Sequence, residues 1–222
     1  MVLLGIEASS EVISLGAVDN QKVIFKFKKR MKKGASYIVA YLEKCLKRNS
    51  LKWKDIDSLV IGKGPGSFTG LRVAFSVVKG LVVALNKPVI GLGSFFSIAY
   101  KLRSKFYKLA VVCDARRSLI YATTFRVKNC SRLLKERKEN LYSLEEFIQL
   151  YPDYLYVTYH NHIREKAKEV FSQINFYPVD VYPEVIYLLE AAKDFYRKRL
   201  FTPLDRLEPL YIYPKECQIK DV

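Results

Sequence analysis

The residues best placed to do chemistry form the turn Gly64-Pro65-Gly66-Ser67-Phe68-Thr69-Gly70-Leu71-Arg72, between a strand-like apolar run and a helix-like one. Gly64, Gly66 and Gly70 permit left-handed backbone and close approach of another segment, and Pro65 stiffens the turn. Ser67 or Thr69 can cap the helix that follows. A helix N-terminus with free amides attracts anions. The turn therefore suits either an anion or partner contact or a purely structural connection. It is not a P-loop, because the G-x-x-x-x-G-K-S/T spacing is missing. Other chemistries find fewer residues. His160 and His162 stand as His-Asn-His, and an i, i+2 pair cannot converge on one helical face, so capping or surface roles are expected rather than a metal site. No Ser or Cys has the G-x-S-x-G-like setting of an activated nucleophile. No catalytic residue, metal or cofactor is expected.

The elements that must hold this turn are readable from periodicity. Residues 2–8, 12–18 and 23–27 read as strands separated by hairpin-length gaps, and 34–49 as a helix with Ile38, Leu42, Cys45 and Leu46 at helical spacing. Residues 57–62 read as a buried strand, 70–86 as an apolar helix, 88–91 as a strand and 94–102 as a helix. The pattern then recurs: strands at 109–115, 119–127 and 130–134, a helix at 144–150, a strand at 154–158, and helices at 163–171 and 183–200. Both halves read β-β-β-α-β-α, which describes a duplicated ribonuclease-H-like α/β fold of the actin-like and sugar-kinase-like group. The seam falls near Lys105 to Lys108, giving halves of 1–105 and 106–222 without a Ser/Gly linker.

The 222 residues are 50% hydrophobic, enough for a sizeable core, and carry a net charge of +16. The charge is uneven. Residues 1–111 hold 20 Lys and Arg against 6 Asp and Glu, a net of +14, while the remainder nets +2. Lys22, Lys26, Lys28, Lys29, Arg30, Lys32 and Lys33 fall within twelve residues. Such a run either protects an edge strand from aggregation or contacts an RNA backbone through charge, with Lys28, Lys29, Lys32 and Lys33 as the tRNA-facing candidates. Four scattered cysteines without a C-x-x-C pair fit a reducing cytoplasm, and the opening residues lack the basic n-region of a signal peptide.

The apolar helix near residues 70–86 has one face of Leu71, Ala74, Phe75, Val78, Val82 and Leu85, and a second of Val73, Val77, Gly80 and Leu81. A helix apolar nearly all round must be covered on both sides. Tyr37 and Tyr41 form an outer stripe on the preceding helix. Together these residues read as a partner interface, unless the two helices simply cover each other.

The string GPGSFTGLR resembles the signature of the TsaB (YeaZ) family. The opening LLGIEASSEVISLGAV, the stretch VAFSVVKGLVVALNKPVIGLGSFFSIA, the segment Asp114 to Tyr121 (DARRSLIY) and the ending EPLYIY are similar to that family too. The likeness is strong over 1–121 and weak over 122–205. Glu7 stands where Asp is usual, Gly34, Ala35 and Ser36 where His-Ser-Glu is frequent, and Tyr213 where Arg is usual. The resemblance implies the duplicated ribonuclease-H-like fold and a non-catalytic scaffold role. The chain would support threonylcarbamoyl modification of the adenosine beside the tRNA anticodon. It would act with the paralogous TsaD subunit and the P-loop ATPase TsaE, with TsaC as the pathway's synthetase, and a homodimer is an option. Pairing with TsaD or a second copy would run through the two helices above. Actin-like ATPases carry an Asp-x-Gly-Thr/Ser turn. Glu7-Ala8-Ser9-Ser10 and Asp114-Ala115-Arg116-Arg117 keep a carboxylate but lack the glycine. The resemblance therefore implies a degenerate nucleotide site at Glu7, Ser9, Ser10 and Asp114. The alternatives are an independent small ATPase or kinase of this fold, and a general RNA-binding protein.

Overall fold

The computed structural model describes residues 1–20, 22–30, 37–128, 132–171 and 173–212. The chain forms two units. The first comprises Met1–Ser97 and Pro183–Leu210; the second comprises Ile98–Tyr182 and, of the described tail, Tyr211 and Ile212.

Unit 1 is built on a five-stranded sheet. Its strands are β1 (Val2–Glu7), β2 (Val12–Asp19), β3 (Lys22–Arg30), β4 (Ser58–Gly62) and β5 (Val89–Leu92), in the order β3-β2-β1-β4-β5. β1 pairs antiparallel with β2, β2 antiparallel with β3, and β4 and β5 run parallel to β1. Helices α1 (Ile38–Arg48) and α2 (Phe68–Leu85) cover one face, where Leu4, Ile6, Leu15, Leu59 and Ile61 meet Leu42, Leu71, Ala74 and Val78. The other face, with Leu3, Val18, Val60 and Ile90, is covered by the last long helix, α6 (Val185–Arg197), through Leu188, Leu189 and Ala192. Burial on both faces explains why β1 and β4 are almost continuously apolar. Gly5 and Gly16 make the seat for α6: a methyl group at Gly5 would overlap Val185, and one at Gly16 would lie 3.1 Å from the same side chain.

Unit 2 repeats the meander with β6 (Lys108–Arg116), β7 (Leu119–Lys128), β8 (Arg132–Lys135), β9 (Asn140–Ser143) and β10 (Leu155–Val157). β10 lies parallel to β6 in the order β10-β6-β7-β8, and β9 shares the free edge of β7. Helices α4 (Leu144–Leu150) and α5 (Asn161–Val170) bury Phe147, Ile148, Ile163 and Ala167 against Ala110, Val112, Ala122 and Tyr156. Helix α3 (Ser94–Leu102) carries the chain from one unit to the next.

Two readings differ from the structure, and a third, the one-sided cover of α2, agrees with it. The division differs from 1–105 and 106–222: the boundary falls inside α3, and the helix expected to end the second half packs on the first sheet. The cause is the Gly5 and Gly16 gap, which Val185 and Leu189 fill. β9 is absent from the periodicity reading, because Asn140–Ser143 is short and half polar. α2 is covered on one side only within unit 1: its buried residues are Leu71, Ala74, Phe75 and Val78. Cys130, Cys217, Tyr213, Lys32, Lys33 and Gly34 to Ser36 lie outside the described residues.

Candidate functional site

The glycine-rich turn leaves β4 and enters α2, and it lies directly on the turn that follows β1. The Ser67 amide donates to the Ser9 carbonyl at 2.6 Å. A methyl group at Gly66 would overlap that carbonyl, and one at Gly70 would overlap the Ala8 carbonyl. Gly64 has φ +92° and is fixed twice: its amide donates to Ser94 Oγ at 2.9 Å, and its carbonyl accepts from the Ser94 amide at 2.8 Å. The Gly64–Pro65 peptide is cis. Ser67 caps the helix, its hydroxyl accepting from the Gly70 amide at 3.3 Å. Two amides that an anion would use are thus donated inside the chain.

Beneath this turn sits Glu7, fully buried. Oε1 accepts from the Ser9 amide at 2.7 Å, while Oε2 and the Ser9 hydroxyl are buried without partners. A methyl group at Gly62 would overlap the carboxyl, so the wall is close on that side as well. Burial pushes the Glu7 carboxyl above its ordinary range, with groups of Ser9 and Ser94 pulling the other way. These residues do not fit a triphosphate-binding turn. Such a turn needs an open glycine backbone, and here Ala8 is buried and the Ser9 carbonyl is capped by Ser67.

Asp114 occupies the matching place in unit 2 and is 37% exposed in its side chain. Its amide donates to His160 Nδ1 at 3.2 Å, its Oδ1 accepts from the Arg116 amide at 2.7 Å, and Oδ2 lies 3.5 Å from His162 Nε2. His160 is the residue before α5, and His162 lies in its first turn. Among the described residues no group of three His, Cys, Asp or Glu side chains is arranged to hold a metal ion.

The expected partner residues separate into two sets. On α2, Gly80 is exposed with nothing within 4 Å of where its Cβ would stand. Val73, Val77 and Leu81 are half-buried flanks packed against the core. Phe68 (48% exposed) and Val83 (71%) are also exposed on α2, and the Arg72 guanidinium lies 3.8 Å from the Phe68 ring centroid. On α1, Tyr37 is 58% exposed and Val39 44%, whereas Tyr41 is tied in, stacked on Phe27 at 5.0 Å. Sequence reasoning missed Val39 and Val83. For Val83 the signal was present, since it sits away from the buried stripe of α2, whereas Val39 falls beside the Leu42 and Leu46 stripe of α1 and carried none. The basic candidates on β3 are also engaged. Lys28 pairs with Glu184 at 3.0 Å, and Lys29 donates to the Tyr41 hydroxyl at 2.8 Å.

α2 is long and apolar enough to cross a membrane by length and composition, with a mean hydropathy of 1.7, yet 22% of that stretch is buried. Here it is a helix on the surface of a sheet, and its exposed side mixes Phe68, Gly80, Val83 and Ala84 with Thr69, Arg72 and Ser76.

Two meanders of one topology, followed by two parallel strands in unit 1 and one in unit 2, with helices between, define a duplicated ribonuclease-H-like protein whose first turn is packed shut. The family described as "TsaD: tRNA N6-adenosine threonylcarbamoyltransferase" matches residues 31–183, more than half the chain. The chain belongs to that family, on its TsaB (YeaZ) side. It is 25% identical over 142 residues to the tRNA threonylcarbamoyladenosine biosynthesis protein TsaB of Buchnera aphidicola subsp. Acyrthosiphon pisum, covering 63% of this chain and 64% of that one. It is 25% identical over 229 residues to TsaB of Haemophilus influenzae, covering 96% and 93%. The match thus spans just under two thirds of the first relative and nearly all of the second. The solved structure of YeaZ from Pseudomonas aeruginosa shares the fold with a TM-score of 0.81, at 19% identity and over 95% of this chain and 99% of that one.

Proposed function

We propose that the chain is a non-catalytic TsaB-type subunit supporting threonylcarbamoyl modification of tRNA, and that the open face of α1 and α2 docks on a TsaD-type paralogous protein. The observation that carries this is the pairing of a sealed turn with a helix covered on one side only. The turn offers no open carboxylate for catalysis. The exposed side of α2 carries Val83, 71% exposed, and Gly80, which lets a partner's backbone approach, so it is the side offered for docking. The names of the TsaB relatives supply the pathway, and the family match supplies the partner class. A TsaE-type ATPase as third member, a homodimer as the resting form and a cytoplasmic location belong to the same reading.

Size-exclusion chromatography of wild type and Gly80→Arg, alone and with a TsaD-type subunit, tests it. Open space surrounds the position a Gly80 Cβ would take, so the variant should fold with an unchanged circular dichroism spectrum. A long charged side chain placed in a buried contact without a partner should abolish the complex. A complex of unchanged strength places docking elsewhere and sinks the proposal. Turnover of ATP by the isolated chain would sink the non-catalytic role.

A further inference from the structure

Strand direction sorts the charge of unit 1. β1, β3, β4 and β5 begin, and β2 ends, at the edge of the sheet away from the Glu7 and Gly64 turns. The chain returns to that end after α1, before β4 and β5, and at the close of α6, and so collects Lys22, Lys47, Arg48, Lys54, Lys87 and Arg199 there. Among the described residues none of these six cations forms an ion pair with a carboxylate. The acids nearby have other partners, and the Met1 amino group lies 3.1 Å from Asp19 and 3.8 Å from Asp57. Asp57 Oδ2 accepts from the Val2 amide at 2.7 Å, Asp55 Oδ2 from the Lys52 amide at 2.9 Å, and Asp19 Oδ1 from the Asn20 side chain at 3.0 Å. At the opposite end Lys28 pairs with Glu184 at 3.0 Å and Arg30 with Glu11 at 2.5 Å, while Lys29 and Lys63 have no carboxylate partner among the described residues.

A cavity of about 610 Å³ opens at this cationic end, with Lys87, Arg199, Tyr196 and Phe201 in its lining together with Asp57, whose carboxylate lies 3.8 Å from the Met1 amino group. Its size lies within the roughly 300–1,000 Å³ of ordinary ligand pockets. Tyr196 and Phe201 meet edge to face, with centroids 5.6 Å apart, and give the cavity an aromatic wall. The C-terminus of α6 would repel an anion through its dipole. Here the Phe195 and Tyr196 carbonyls are taken by the Leu200 and Arg199 amides, each at 2.9 Å, and Arg199 is held in the left-handed region at φ +53°. Unpaired cations beside an aromatic wall are the two components of sequence-tolerant single-strand recognition, one for phosphate and one for a base face.

We propose that this end of unit 1 is an RNA-binding surface, with one base stacked against Tyr196 and its flanking phosphates on Lys87 and Arg199. That the RNA is tRNA rests on the functional reading above; the phosphate and base chemistry does not. The test uses the full chain and a fluorescently labelled tRNA transcript, with anisotropy read across a series of KCl concentrations. Removing Lys54, Lys87 and Arg199 together (each to Ser) should weaken binding at least tenfold at low salt. It should also lower the log–log salt slope by about 0.7–0.9 for each phosphate no longer neutralised. Lys28→Ser with Lys29→Ser should leave the slope unchanged. Tyr196→Phe should bind as wild type, while Tyr196→Ser should bind more weakly with the slope intact. Ultraviolet cross-linking of the wild-type complex covers the case of an unfolded variant: adducts on the peptide containing Tyr196 and Phe201 are expected. Adducts confined to β3, an unchanged slope in the triple variant, or no tRNA retention by wild type would each overturn the proposal. A chain that docks on the TsaD-type subunit but ignores these substitutions sinks this inference alone. A chain that needs them for tRNA yet ignores that subunit sinks only the preceding reading.

Discussion

The turns after β1 and after β6 start from the same topology and end in different states. In unit 1 the β4–α2 connection lies on the β1–β2 turn by backbone, Ser67 amide to Ser9 carbonyl, and closes Glu7 off completely. In unit 2 the residues between β10 and α5 and the first turn of α5 reach the β6–β7 turn by side chains, His160 on the Asp114 amide and His162 beside its carboxylate, and Asp114 stays 37% exposed. The first turn has flat, glycine-lined contact; the second makes room with Arg116, Arg117 and Ser118 all at positive φ, at +66°, +49° and +62°. Duplication of strands and helices therefore does not duplicate a site. The seal comes from the glycines of residues 64–70, and the second unit has no such run.

The comparison is broken most severely at Gly66. Its φ of +152° and the Ser9 carbonyl leave no place for a methyl group, and the obstacle is backbone that cannot rotate aside. Gly66→Ala should cost about 3 kcal/mol or more, read as a large fall in the urea midpoint. Gly80→Ala, where nothing lies within 4 Å, should instead stabilise by about 0.5–1 kcal/mol through helix propensity. Equal effects at the two glycines would show that the signature turn is loose and that the seal is not what holds Glu7.

A second effect is graded by pH. The folded Glu7 carboxyl titrates above its ordinary value because it is desolvated. Its contribution to stability is therefore complete below the unfolded pKa, near 4.5, and is lost as pH rises through the folded value. Glu7→Gln removes that loss. The variant's thermal midpoint, measured from pH 4 to pH 9, should rise relative to wild type as pH increases. Parallel curves would mean that the carboxyl is solvated and the turn open. Asp114→Asn, in the exposed counterpart, should shift stability by less than about 1 kcal/mol.

Much of this was legible beforehand. The helices at 94–102 and 144–150 and the strands of both meanders were recoverable, because apolar spacing and short gaps constrain them locally. The identity of the signature turn was legible as a string, but its packing was not. That Gly66 and Gly70 meet Ser9 and Ala8 depends on β4 lying parallel to β1, a pairing across more than fifty residues. The return of α6 to the first sheet is likewise non-local. Its only trace was a pair of glycines in β1 and β2, which read as ordinary strand residues until a helix is set against them. The partners of the basic strand have the same non-local origin. Lys28 and Lys29 point to opposite faces of β3, and their partners, Glu184 and the Tyr41 hydroxyl, come from elsewhere in the chain.

The smallest effect sharpens the comparison from the side of unit 2. Left-handed backbone costs a residue with a Cβ about 1–2 kcal/mol, and three such residues follow one another at Arg116, Arg117 and Ser118. Ser118→Gly would relieve one of these positions while adding conformational freedom to the unfolded chain, which offsets about 0.5–1 kcal/mol of the gain. The net expectation is stabilisation by about 0.5 kcal/mol, seen as a slightly higher denaturant midpoint with an unchanged slope. A loss of stability would mean that the Ser118 side chain makes a contact worth more than the strain, and that the second turn is as closely fitted as the first. A gain would show that the exposed turn carries strain the sealed turn avoids by placing glycine at its positive-φ positions, Gly64 and Gly66.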